Sequence, residues 1–138
     1  MNSISSIENL LNQIKQLNLS SLEMHNFINS LNQEEYASIA TIFSIGRSGW
    51  DRTSYIDTTE YYSFIEEYES YGEAVNDEIL DRKFLTTTFK RNQIETDYYL
   101  SLKELHRSDN EYNHNWLSWK PNLIDDIEKG LYMLKEVY

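Results

Sequence analysis

The sequence predicts an all-α fold, a single-domain bundle of about six or seven helices over residues 1–138. The chain is long enough for one compact domain and too short for two ordinary ones. It contains four glycines and one proline, which is too few for the tight turns of a β-sandwich or a β-barrel. Apolar residues recur at three- and four-residue spacing along most of the chain, which is the period of an α-helix.

Three helices are predicted before the first glycine. Apolar residues at helical spacing indicate the first over Ile4–Leu17. The second opens at Ser20, with Glu23 three residues later in the arrangement of a capping box. Asn32 is the expected N-cap of the third helix, because its side chain can accept a hydrogen bond from a free N–H of the first turn. Gly46 is expected to end that helix.

A long loop over residues 46–57 and two further helices follow. Asp57 or Thr58 is the expected N-cap of the fourth helix, Asp57 with Glu60 three residues later fits a capping pattern, and Gly72 interrupts the helix. The apolar pattern of Ile79–Leu85 indicates a fifth helix. The segment near 86–91 is left open between irregular structure and a short strand, because three consecutive threonines lower helix propensity.

The C-terminal part of the chain contains two more predicted helices. Residues 94–105 indicate the sixth helix, and residues 108–120 are predicted to be irregular. Pro121 suits the first turn of the last helix, since the N–H that it lacks would have no partner there. Apolar residues at spacings of one, three and four line this helix from Leu123 to Val137.

Composition excludes several classes of protein. The absence of cysteine excludes disulfides, thiolate metal sites and cysteine nucleophiles, and it is compatible with the cytoplasmic location that we expect. A net charge of −11 argues against direct nucleic-acid binding, since a negative surface repels phosphates. The sequence has no apolar run long enough to span a bilayer, and its N-terminus lacks the basic start and apolar run of a signal peptide.

Most of the negative charge lies in one stretch, residues 53–81, which we call the acidic segment. It contains nine acidic residues and no lysine or arginine, whereas the rest of the chain has fourteen acids and twelve bases. It also contains six aromatic residues. Acidic groups steer a basic partner and tyrosines bury a large area on binding, so this composition favours a protein-binding surface.

Twelve side chains of the acidic segment are candidate partner-binding residues. They are Asp57, Glu60, Tyr61, Tyr62, Glu66, Glu67, Tyr68, Glu69, Tyr71, Glu73, Asp77 and Glu78. Like charges at three- and four-residue spacing repel each other in a helix, and a partner would explain why they are retained. The alternative interpretation is a solvated acidic helix face with the tyrosines packed beneath it.

Catalytic and ligand-binding patterns are weak. His106 and His114 flank an irregular stretch that could assemble a metal or general-base site, but no metal-ligand spacing supports one. Arg47 and Arg52, near Trp50 and Asp51, could bind an anion or pair with local carboxylates. A structural role is the preferred interpretation, in which Trp50 covers the edge of the core and Arg47 holds the loop by charge-assisted bonds. Trp116 and Trp119 are expected to seal a core, with ligand binding as the alternative.

Two separated stretches resemble a family of small bacterial domains of unknown function. The first, residues 31–51, is similar to a helix that begins Leu-Asn-x-(Asp/Glu) and leads into a Gly-Arg turn. The second, residues 116–131, is similar to the family's closing helix with its Pro-x-Leu start and Gly-Leu end. The resemblance implies an all-helical fold in which the turn around Arg47 packs near the last helix. It implies no catalytic residues.

The sequence therefore predicts a binding protein without enzymatic activity, metal or cofactor. In its most concrete form it is a cytoplasmic immunity or antitoxin protein that neutralises a basic, nuclease-like toxin by direct binding. Two alternatives stay open. One is a small-ligand or enzyme domain that uses the region of Arg47, Trp50 and His106, and the other is a bacterial interaction or oligomer-forming domain.

Overall fold

A computed structural model of the protein describes residues 1–17, 21–52, 57–105, 117 and 120–138. In these ranges the chain forms seven helices and no strand, so the predicted all-α fold is confirmed. The helices are α1 (Ile4–Leu17), α2 (Ser21–Ser30), α3 (Gln33–Ser48), α4 (Thr58–Glu69), α5 (Asp77–Phe84), α6 (Thr87–Leu105) and α7 (Leu123–Lys135). The predicted helix start at Ser20 and most of the irregular stretch over 108–120 lie outside the described residues.

The chain divides into two compact units. The first consists of residues 1–49 and 94–138, and the second of residues 50–93. The first unit has α3 at its centre, with ten of the sixteen residues of this helix buried. α3 packs against α7 and α1, and α1 also packs against α7. Fully buried side chains from all three helices, such as Ile14, Phe43 and Leu134, form this core.

Gly46 and Gly130 lie where α3 crosses α7. A β-carbon added to Gly46 would lie 1.9 Å from the carbonyl oxygen of Asp126, and one added to Gly130 would lie 2.0 Å from the carbonyl oxygen of Ile42. The two helix backbones are therefore in direct contact, and only glycine fits at either position. The prediction that Gly46 ends α3 is wrong, because this glycine serves helix packing within α3. The helix continues to Ser48.

The ends of the helices are fixed by local hydrogen bonds. Asn32 forms the capping box of α3: its Oδ1 accepts from the N–H of Glu35 at 2.8 Å, and Glu35 Oε1 accepts from the N–H of Asn32 at 3.1 Å. The N–H of Gly49, which has a φ of +79°, donates to the carbonyl oxygen of Ile45 at 2.8 Å and closes the helix. The loop predicted to start at residue 46 thus begins three residues later.

The irregular or strand segment expected near 86–91 is not formed, because residues 87–91 belong to α6. Thr86 Oγ1 accepts a hydrogen bond from the N–H of Phe89 at 3.1 Å, as an N-cap does. Threonines cost little in a first turn, where their hydroxyls can satisfy free N–H groups. Pro121 lies in the turn before α7 and not in its first turn, since Asn122 with a φ of +58° separates it from the helix.

The second unit contains α4, α5 and the start of α6. Its buried side chains include Leu80 and Phe84 of α5 and Phe89 and Gln93 of α6. The side-chain oxygen of Gln93 accepts a hydrogen bond from the N–H of Asp51 at 2.9 Å. No helix in the described ranges of the chain is long and apolar enough to cross a membrane.

Candidate protein-binding surface

The acidic segment maps onto α4, the turn that follows it, and the first half of α5. Residues 53–56, including Tyr55, lie outside the described residues. Of the two predicted candidates, Asp57 is the N-cap of α4, since its Oδ1 accepts from the N–H of Glu60 at 3.0 Å. α5 is capped in the same way by Asn76, which accepts from the N–H of Ile79 at 2.9 Å. These two caps fix where the helices that carry the acidic groups begin.

One face of α4 packs into the second unit. Tyr61, Phe64 and Tyr68 recur at helical spacing and are half-buried. The ring of Tyr61 lies 5.3 Å from that of Phe84, and the ring of Phe64 lies 5.5 Å from Phe84 in an edge-to-face arrangement. The ring of Tyr68 lies 5.9 Å from that of Phe64. Two of the four candidate tyrosines, Tyr61 and Tyr68, therefore contribute to packing within this unit.

The opposite side of α4 is exposed along its length. We call it the outer face of α4, formed by Glu60, Tyr62, Ser63, Glu66, Glu67 and Glu69. The side chain of Tyr62 is 60% exposed, and that of Tyr71, in the turn after the helix, is 79% exposed. No residue of α4 is fully buried. The candidate tyrosines are thus divided equally between the packed face and the exposed surface.

The acidic groups of α4 are opposed by the helix that carries them. Glu66, Glu67 and Glu69 lie in its C-terminal half, and its last turn contains no basic residue. The C-terminus of a helix carries a partial negative charge, so carboxylates there are destabilising. No ion pair joins these three side chains to any described residue. Neither helix stability nor local charge pairing therefore accounts for them.

The acidic groups of α5, in contrast, are locally compensated. Asp77 and Glu78 lie in the first turn, where carboxylates are favoured, and Arg82 and Lys83 lie in the last turn. The guanidinium of Arg82 donates to Glu78 Oε1 at 3.0 Å, one helical turn away. Asp77 pairs with Arg52. These acids stabilise α5, so a partner is not needed to explain them.

Arg52, in the loop before α4, pairs with two aspartates of α5. Its guanidinium donates to Asp77 Oδ1 at 2.6 Å and to Asp81 Oδ1 at 2.5 Å. Burial disfavours the charged form of Arg52, and hydrogen bonds with Tyr61 and both aspartates outweigh this effect, so its pKa is raised above the ordinary value. The side chain is 19% exposed. Arg52 is thus already paired, which argues against its use as an anion-binding residue.

The two remaining acidic candidates, Glu73 and Glu60, each have a favourable local interaction. Glu73 is exposed and accepts a hydrogen bond from the hydroxyl of Tyr68 at 3.3 Å. Glu60 lies in the first turn of α4, where a carboxylate is favourable. Of the twelve candidates, the three glutamates near the end of α4 and the two exposed tyrosines are therefore those that capping, ion pairing and burial among the described residues do not explain.

The residues of the alternative ligand site are only partly described. Arg47 is exposed in the last turn of α3, with its guanidinium 5.7 Å from the centre of the Phe43 ring. Trp50 is half-buried, and Lys90 lies 5.5 Å from the centre of its ring. His106, His114, Trp116 and Trp119 lie outside the described residues. In the part of the chain that is described, no group of three His, Asp or Glu side chains could hold a metal ion.

The sequence allowed Arg52 to pair with carboxylates, but it did not identify Asp77 and Asp81 as the partners. The predicted charge-assisted contact of the loop was given to Arg47, whereas Arg52 makes it. The available signal was the spacing of Asp77 and Asp81, which places two carboxylates on one side of α5. Nothing in the local sequence indicates that residue 52, twenty-five positions earlier, lies against them.

Comparisons with family models, curated proteins and solved structures found no match for this chain. The resemblance of residues 31–51 and 116–131 to a family of small bacterial domains therefore stays a prediction. Gly46 lies against α7, but residues 46–48 belong to α3 and do not form the turn that the resemblance implied.

Proposed function

We propose that the protein is a binding module whose acidic segment docks a basic protein, and that it acts as an immunity or antitoxin protein. The observation that carries the proposal is the outer face of α4, where Glu66, Glu67 and Glu69 are exposed and oppose the helix dipole. A basic partner would relieve this repulsion and be steered towards the surface by it. Inhibition by direct binding requires no reaction at this surface.

The experiment is growth rescue of cells that express a basic toxin domain encoded beside the gene for this protein. The variant Glu66→Lys, Glu67→Lys, Glu69→Lys should lose protection, because it presents positive charge to a positive partner. The variant should be at least as stable as the wild type, since lysines near the end of α4 suit its dipole. A loss of protection would therefore not result from unfolding.

A matched control makes the same change in net charge at three other positions. Glu95→Lys, Asp125→Lys, Glu136→Lys alters three exposed acids of the first unit and should protect as well as the wild type. Equal protection by both triple variants would contradict the assignment of the surface. Failure of the wild type to bind or neutralise any neighbouring basic domain would contradict the proposed function.

A further inference from the structure

The exposed tyrosine of α4 is held in place before any partner arrives. Tyr62 makes an edge-to-face contact with Tyr61, with ring centroids 5.4 Å apart and an interplanar angle of 78°. Tyr61 is in turn fixed by its contact with the ring of Phe84, at 5.3 Å between centroids. A side chain that is already oriented loses less conformational entropy on binding, and this raises affinity.

Tyr62 also lies in line with Glu66 and Glu69, two of the glutamates that form no ion pair with a described residue. Glu66 and Glu69 follow it by four and seven residues, and both spacings return to the same side of a helix. At a rise of about 1.5 Å per residue, this stripe is about 10 Å long. An exposed aromatic ring is thus aligned with two carboxylates on the outer face of α4.

We infer that Tyr62 is the anchor of the interface, its ring entering an apolar recess on the basic partner protein. Lys or Arg side chains beside the recess meet Glu66 and Glu69. The inference rests on the proposed function and adds which residue holds the partner and what surface receives it. Charge complementarity identifies the occupant as a basic protein, and buried aromatic anchors surrounded by polar groups dominate binding energies at such interfaces. The carboxylates mainly set the rate of association, and Tyr62 sets the rate of dissociation.

The first test is photo-crosslinking in cells that produce the basic partner, with a benzophenone amino acid at position 62. The matched control places the same group at Tyr132 of α7, which is 68% exposed. We expect a basic protein to be crosslinked from position 62 and not from position 132. Crosslinking of the same protein from 132 alone, or of an acidic protein from 62, would overturn the inference.

The second test measures binding of the purified partner to single variants. Tyr62→Ala should weaken binding at least tenfold through faster dissociation, whereas Tyr62→Phe and Tyr132→Ala should bind like the wild type. The thermal unfolding midpoint of Tyr62→Ala should change little, which separates an anchor from a structural residue. If the wild type binds a basic partner and Tyr62→Ala binds equally well, the proposed function stands and the anchor is refuted. If the wild type binds no basic partner, both are refuted.

Discussion

Two glycines determine how closely α3 and α7 approach in the first unit. Both are helical, and alanine at such positions normally stabilises a helix by roughly 1 kcal/mol relative to glycine. Here a β-carbon at Gly46 would meet backbone atoms of Asp126 and Gly130, which cannot move without shifting α7. The packing requirement therefore outweighs the conformational preference.

We expect Gly46→Ala to destabilise the protein by about 3 kcal/mol or more, because overpacking against backbone cannot relax through side-chain rotation. Urea unfolding followed by far-ultraviolet circular dichroism measures the effect. The control is Gly72→Ala: Gly72 has open space around its α-carbon, and its φ of +87° should limit the cost to about 1 kcal/mol. A Gly46→Ala variant as stable as the wild type would contradict the close helix crossing.

Tyr36 makes stability depend on pH at the alkaline end. It lies in α3 with 4% of its surface exposed, and burial raises the pKa of its hydroxyl to about 12. The unfolded chain ionises near pH 10, so the stabilisation associated with neutral Tyr36 is complete below pH 10 and is lost as the pH rises through 12. A difference of two pKa units corresponds to about 3 kcal/mol.

We therefore expect the free energy of unfolding to fall by about 2 to 3 kcal/mol more in the wild type than in Tyr36→Phe between pH 9 and pH 12. The comparison between the two proteins cancels the titration of the other tyrosines. Parallel stability curves over this range would show that burial does not hold Tyr36 in its neutral form.

At the scale of elements, Arg52 joins the loop before α4 to α5 through two charge-assisted bonds. Its side chain is mostly buried, and the two aspartates differ, with Asp77 89% exposed and Asp81 47% exposed. Solvent weakens the bond to Asp77 more than the bond to Asp81.

Replacing Arg52 by glutamine should destabilise the second unit by about 1–3 kcal/mol, since each charge-assisted bond contributes on this order. Asp81→Asn should cost more than Asp77→Asn because Asp81 is less exposed. Hydrogen exchange of the α5 amides and urea unfolding measure these effects. The control Arg82→Gln breaks an exposed pair on the same helix and should cost less than about 0.5 kcal/mol. Equal costs for Arg52→Gln and Arg82→Gln would contradict the role of Arg52.

The helices themselves were largely predictable because their ends depend on neighbouring residues. Asn32 and Asp57 are caps whose partners lie three positions away, so the sequence reveals them. The ends that depend on distant contacts were not predictable. Gly46 resembled a helix stop, and only the proximity of α7 shows that it is a packing position.

At the scale of the whole molecule, the charge is less concentrated than the linear sequence indicates. The acidic segment contains no basic residue, but the second unit contains five bases against ten acids. Four of these bases make described contacts within the unit: Arg52 and Arg82 pair with acids, Lys83 lies over Phe64, and Lys90 lies over Trp50. The acidic side chains with neither an ion pair nor a favourable position in a helix are therefore confined to the end of the outer face of α4.

The candidate surface shows the same limit of sequence reasoning. Composition located the acidic segment, but it could not show which of two adjacent tyrosines packs inside. Tyr61 packs on Phe84, whereas Tyr62 is exposed. A helical period predicts that neighbours point in different directions, and it does not say which direction meets the core. That assignment needed the position of α5.

The amino-acid sequence alone determined the all-α fold, the caps and the stretch of the chain that carries the excess negative charge, because these follow from composition and from interactions over a few residues. The tertiary structure decided that two glycines serve a helix crossing, that Arg52 neutralises Asp77 and Asp81, and that Tyr62 faces outwards beside Glu66 and Glu69. Each of these depends on groups that folding brings together from distant positions or orients relative to a core, and spacing along the chain does not encode that arrangement.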